Sequence, residues 1–255
     1  MAQLYIMIKE AQHKAKKAYE GLVFDEEPHK YYVHGNNFPS VSGFVGRFKH
    51  KFNVEKMSKL TAYKEKRTQK SVKKEWKELN DFGTSLGTDF HNFGEALGYL
   101  YLNDPYWDLR LKPETPQQEW LLYWWKHKKP WWLYPVFFEL QMYSLKYSLC
   151  GTTDIVFIDL RTGKFIIADY KTNKTTSRAG KCGMFGSYDM MLAPFNDLKQ
   201  NAYNGYQIQL STYQILFQDA MPYEVSGRLL LWFKREGGFE LYWTDDLTKK
   251  IYKEL

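Results

Sequence analysis

The spacing of apolar and polar residues divides the chain into a largely helical first half and a second half dominated by short strands. Helical periodicity opens the chain and predicts a helix from Gln3 to Gly21. His29 to His34, the turn Gly35-Asn36-Asn37 and Phe38 read as a hairpin. Pro39 with Ser40 or Ser42 then supplies the N-cap pattern of a following helix. From Val54 to Leu79, Met57, Leu60, Val72, Trp76 and Leu79 form one apolar stripe among lysines, predicting a surface helix or a pair of helices. Two more helices are predicted, from Ser85 to Leu102 and from Pro116 to Lys129.

After Lys129 the period shortens. Tyr134–Tyr143, Thr152–Leu160 and Phe165–Thr172 are short, aromatic and β-branched, as strands are, and Arg161-Thr162-Gly163-Lys164 is a hairpin turn. Asn173 to Asp197, with Gly180, Gly183 and Gly186, has no period; segments of that length serve as lids or are disordered. A helix from Leu198 to Asp219 follows, then strands Glu224–Arg235 and Phe239–Thr244 joined by Gly237-Gly238. This order predicts an α/β domain: a mixed central sheet flanked by helices, with an N-terminal helical extension.

Composition narrows the class. The chain has 255 residues, 44% hydrophobic and 25% charged, the balance of a globular protein. Aromatics reach 18%; most are expected in the core, including Trp124, Trp125, Trp131 and Trp132, leaving some to stack on unpaired bases. The longest nearly uncharged apolar run, Trp131 to Phe138, is too short for a bilayer, and the first residues lack a secretory pattern. An intracellular, cytoplasmic setting without a membrane is therefore expected. Two cysteines, Cys150 and Cys182, can make neither a disulfide scaffold nor the four thiolates of an iron–sulfur cluster.

The net charge of +7 is confined to one stretch. Residues 46–80 sum to +8, residues 1–45 to zero and residues 81–255 to −1. Such a stretch fits either a polyanion partner or a solvated helix face.

The chemistry concentrates in the central hairpin. Asp169 and Lys171, two apart on a strand, share a face. If Leu160 pairs with Phe165 across the turn, Asp154 lies opposite Lys171 and one diagonal step from Asp169. A three-residue loop would send Asp154 to the other face. Three charges beside an apolar hairpin are costly unless they bind something, although a structural salt bridge of Lys171 with either aspartate remains open.

Gly151-Thr152-Thr153-Asp154 followed by Asp169-Tyr170-Lys171-Thr172 resembles the split acid–acid-x-Lys motif of the PD-(D/E)xK nucleases. Gly87-Thr88-Asp89-Phe90-His91 is similar to the Gly-Thr-x-x-His segment of the RecB-like branch, and Gln209 to Tyr213 to its Gln-x-x-x-Tyr motif. His29 to Tyr31 and Pro39 to Val41 resemble the openings of phage exonucleases and of the mitochondrial genome-maintenance exonuclease. Two cysteines set the chain apart from the iron–sulfur members, and no Walker A loop is present, so any helicase motor would be a separate chain.

The resemblance implies a restriction-endonuclease-like core and a single nuclease domain over residues 1–255, with a basic helical region at 1–83 and a catalytic core at 84–255. It implies Mg²⁺ or Mn²⁺ held by His91, Asp154, Asp169 and the Tyr170 carbonyl, the imidazole favouring Mn²⁺. Such a cation lowers the pKa of bound water and neutralises phosphate oxygens. Lys171 would orient or deprotonate the attacking water, and Gln209 and Tyr213 would face the site from one helix face, where the plain alternative is an amphipathic helix. Glu95, one turn after His91, and Glu139 are accessory acids that a structural ion pair explains equally well. The expected activity is a metal-dependent deoxyribonuclease, an exonuclease on single-stranded DNA ends, working with a separate helicase or recombination protein, in the phage case inside a bacterial host. A structure-selective endonuclease and an inactive nucleic-acid-binding protein are the alternatives. Lys66, Arg67, Lys70, Lys73 and Lys74 would line the DNA channel.

Overall fold

Two apolar faces on one sheet organise the chain, and the strand residues sort themselves between them. In the computed structural model, which describes residues 2–25, 30–173 and 189–255, β4 (Leu133–Ser144), β5 (Leu149–Asp159), β6 (Phe165–Lys171), β7 (Val225–Phe233) and β8 (Phe239–Trp243) form a five-stranded sheet in that order. Only β6 and β7 run parallel, so the sheet is mixed, as the alternation of elements predicts. Helix α6 (Ala202–Ala220) lies in sequence between these two strands. Val156, Ile158, Phe165 and Ile167 pack on one face with α1 (Ala2–Ala18), α2 (Val41–Gly46) and α6. Ile155, Phe157, Ile166, Ala168 and Tyr170 pack on the other with α4 (Gln69–Asn103) and α5 (Pro116–Tyr123). Period-two strands thus serve two cores at once.

Caps set the helix starts. Ser40, rather than Ser42, accepts from the Gly43 N–H at 3.0 Å and begins α2; Asn53 caps α3 (Val54–Glu65), and Thr68 caps α4. The basic stretch is therefore a pair of helices. The second of them does not stop near Leu79: α4 continues without a break through the separately predicted Ser85–Leu102 helix. Asn80, Asp81, Gly83 and Gly87 are weak helix formers, which is why the sequence reads as two pieces, but packing further along overrides that preference. A Cβ on Gly98 would overlap the Phe138 ring, and one on Gly94 would stand 3.1 Å from the Tyr170 ring, so these glycines let α4 settle on the sheet. The boundary expected between residues 83 and 84 consequently falls inside a helix.

Four other expectations change. Strand β1 (Leu22–Asp25), unpredicted because of its length, joins β2 (Lys30–Val33) and β3 (Asn36–Phe38) in a small antiparallel sheet tied to β5 by a 3.0 Å bond between Tyr31 and Thr152 hydroxyls. The helix from Pro116 loosens at Trp124 into one wide turn that ends at Lys128. Trp124 and Trp125 are core, but Trp131 is 74% exposed. In the central hairpin Ile158, not Leu160, faces Phe165, because Asp159 holds the turn through bonds to the Arg161 N–H and guanidinium. The slip is two residues, an even number, so Asp154 stays on the face of Asp169 and Lys171. The segment holding Gly180, Cys182, Gly183 and Gly186 lies outside the described residues. Among the described residues no helix is long and apolar enough to cross a membrane.

Candidate metal centre

The carboxyl ends of parallel strands are where open α/β sheets collect ligands. Here that edge gathers side chains from both flanking layers. Helix α4 buries Phe90, Phe93, Gly94, Leu97 and Gly98 against the sheet, which leaves His91, Glu95 and Tyr99 on the adjoining stripe. His91 Nδ1 then stands 3.3 Å from Asp154 Oδ1 of β5 and 3.8 Å from Glu139 Oε1 of β4. One donor atom from each of these three residues lies within 4.8 Å of the other two. Ligands at right angles around a cation with about 2.1 Å bonds stand about 3 Å apart, so one imidazole and two carboxylates at these separations fit a small divalent ion.

Glu139 reaches the centre by an unusual route. Its φ is 44°, the left-handed region, inside an otherwise extended strand whose register has already shifted between Pro135 and Phe137. A non-glycine residue held there costs on the order of 1–2 kcal/mol, and such outliers concentrate at ligand sites. No sequence pattern announces that backbone, so Glu139 ranked as accessory by sequence; by geometry it belongs to the cluster.

Asp169 stands slightly apart. Its carboxylate forms an ion pair with Lys171 and is not one of the three converging donors. Asp154 accepts a 2.6 Å bond from the Tyr170 backbone N–H, which joins the two strands at the site. Lys171 places its ammonium 4.8 Å from the centre of the Tyr206 ring, whose hydroxyl donates to Asn173 at 2.9 Å. Tyr206 precedes Gln209 by three residues on α6, a same-face spacing. Gln209 donates to the Tyr213 hydroxyl at 2.8 Å, and Gly151 makes room for that ring, since a Cβ there would stand 2.8 Å from it. Glu95 is half-buried beside the cluster and contributes charge to Glu139 without joining the donor set.

The electrostatics are those of a site short of positive charge. Burial pushes Asp169 up to about 7, with Asp154 adding to the effect against the pull of Lys171. Burial also raises Glu139, which Asp154 reinforces and His91 opposes. For Asp154, burial is outweighed by His91, Lys171 and the Tyr170 N–H, and the group stays below the usual carboxylate range. His91 is held up to about 10: burial disfavours its cation, but Asp154 and Glu139 prevail. Lys171 likewise rises despite burial, through Asp169 and Asp154. Protons thus occupy a place that a cation would fill.

The basic helices are less free than their charge implies. Arg67 pairs with Glu65 at 3.0 Å and Glu75 at 2.5 Å, Lys73 pairs with Glu55, and Lys74 lies 3.7 Å from Glu78. Among the described residues Lys66 and Lys70 alone of the five form no ion pair, and both are exposed.

Comparison with known protein families and with curated proteins finds no match to this chain.

Proposed function

We propose that the protein is a metal-dependent nuclease of the PD-(D/E)xK type, RecB-like branch, acting on single-stranded DNA ends. The carrying observation is the His91–Glu139–Asp154 donor cluster beside the Asp169–Lys171 pair, at the edge where the split motif resemblance expects chemistry. A buried pair of aspartates with a lysine and an imidazole is a poor way to stabilise a sheet, and a good way to bind a cation and a phosphate.

His91, Glu139 and Asp154 would hold Mg²⁺ or Mn²⁺, with Asp169 and the Tyr170 carbonyl next to them. Bound there, the cation would acidify a water and compensate the charge of the phosphate. Lys171, kept charged between Asp169 and Asp154, would orient the attacking water and stabilise negative charge developing on phosphorus. The Tyr206 ring, 4.8 Å away, would help to hold that ammonium, and the Gln209–Tyr213 pair would hold the backbone of the strand. Unwinding of duplex DNA would fall to a separate helicase or recombination protein.

The test is degradation of end-labelled single-stranded DNA with Mg²⁺ or Mn²⁺, by wild type and Lys171→Ala. Cleavage by wild type alone is expected; binding by both with cleavage by neither would replace the enzyme with a nucleic-acid-binding protein. A circular single strand should resist, and its cutting would make the protein an endonuclease.

A further inference from the structure

A cavity of about 420 Å³ opens along the outer edge of β4, between α1 and the second half of α4, and Glu139 lines it. Its volume lies in the range of about 300–1,000 Å³ usual for small-ligand sites. Glu139 is common to the lining of this cavity and to the donor cluster, so the two lie side by side. We infer that this cavity receives one unpaired nucleobase of the bound strand, stacked on Tyr99, with Lys16 at the mouth against a neighbouring phosphate. The inference rests on the nuclease reading for its choice of ligand and names what that site recognises.

Three features favour a flat aromatic ligand. Tyr99 lies on the His91 stripe of α4, is 49% exposed, and packs obliquely on Phe138 with ring centres 5.2 Å apart, so part of the ring is supported and the remainder is open. Lys16 is exposed and makes no ion pair among the described residues. A peptide strand is a poor fit for the same edge. Pro135 lacks an N–H, the register shifts before Phe137, Gln12 already donates to the Val136 carbonyl at 3.1 Å, and the left-handed Glu139 breaks the pleat. A base inside a duplex could enter only after unstacking and unpairing, so the cavity would itself favour single strands.

The experiment uses the full chain with Ca²⁺ and single-stranded oligonucleotides carrying 2-aminopurine at successive positions, read by fluorescence and by equilibrium binding. Wild type should quench the probe at one position. Tyr99→Leu should lose that quench and bind about ten-fold more weakly, as loss of one base–aromatic stack predicts. An abasic residue at that position should weaken wild type similarly and Tyr99→Leu not at all. Lys16→Glu should weaken binding while keeping the quench, and Trp131→Ala, exposed in the turn that precedes β4, should change neither. Quenching at no position, or an unchanged quench in Tyr99→Leu, overturns the inference. Cleavage with Mg²⁺ or Mn²⁺ is scored separately: cutting without a Tyr99-dependent quench removes the pocket and keeps the nuclease. A Tyr99-dependent quench without cutting keeps the pocket and removes the nuclease, and absence of any binding removes both.

Discussion

His91 Nδ1 and Asp154 Oδ1 face each other at 3.3 Å although one sits on a helix and the other on a central strand, and the imidazole is held up to about 10 chiefly by that carboxylate once burial is overcome. A metal ligand must be deprotonated, so a cation entering this centre displaces the His91 proton. Affinity for Mn²⁺ should therefore rise with pH between 6 and 9, and calorimetry in buffers of different ionisation enthalpy should register proton release. The His91→Ala variant should bind more weakly and release less. Affinity independent of pH in the wild type would remove His91 from the ligand set.

Asp169 gives a stability prediction of definite sign. Its carboxyl is raised from 3.8 in the open chain to about 7 in the fold, so the folded state prefers the protonated form. The stabilising contribution is complete below the lower value and is lost as pH rises through about 7. Metal-free protein should accordingly melt at a lower temperature at pH 8 than at pH 5.5. Added Mg²⁺ or Mn²⁺ should recover more at pH 8, which a calorimetric or fluorescence melt will measure.

The left-handed backbone at Glu139 separates strain from ligation. Glycine adopts that conformation freely, whereas a β-branched residue resists it. Glu139→Val should be about 1–2 kcal/mol less stable than Glu139→Gly in chemical denaturation, while both lose the cation-induced rise in melting temperature. Equal stability of the two variants would mean that the backbone at this position relaxes.

How far the sequence reaches is clear from which residues it placed. The Asp-x-Lys alternation of β6, the cap of α2 at Ser40 or Ser42, and the Gly237-Gly238 turn are local rules, and each was readable because its determinants lie within a few residues. The facing of Asp154 toward Asp169 was also legible, since side-chain parity survives an even slip in register. What was illegible depends on distant packing. Gly94 and Gly98 fall inside the predicted Ser85–Leu102 helix, but nothing local marks their close approach to Tyr170 and Phe138; Trp131 reads as core, yet it is 74% exposed. The promotion of Glu139 required a backbone conformation that its own residue type disfavours.

The glycines of α4 make that packing argument testable. Gly98→Ala would drive a methyl into the Phe138 ring and should cost about 1–3 kcal/mol, which Phe138→Leu in the same chain should partly restore. Gly87 has open space around its Cβ position, so Gly87→Ala should instead stabilise the helix by about 0.5–1 kcal/mol. Urea midpoints compare the two directly. A stabilised Gly87→Ala protein that cuts DNA poorly would mean that the backbone at Gly87 meets the substrate.

The basic helices yield a prediction about salt. Glu65 and Glu75 neutralise Arg67, and Glu55 neutralises Lys73, so these side chains hold α3 against α4 before they attract anything else. Lys66 and Lys70 are exposed, and no carboxylate pairs with either among the described residues. Each phosphate contact on a single strand contributes about 0.7 to the logarithmic salt slope, so Lys66→Ala with Lys70→Ala should flatten that slope by about 1.4 and leave the melting temperature alone. Arg67→Ala with Lys73→Ala should do the reverse, lowering the melting temperature of the helical pair with a smaller change in slope. If the second pair flattens the slope as much as the first, the ion pairs open when DNA arrives and all the lysines serve the strand. An unchanged slope in both would return residues 46–80 to a solvated face and place the strand elsewhere.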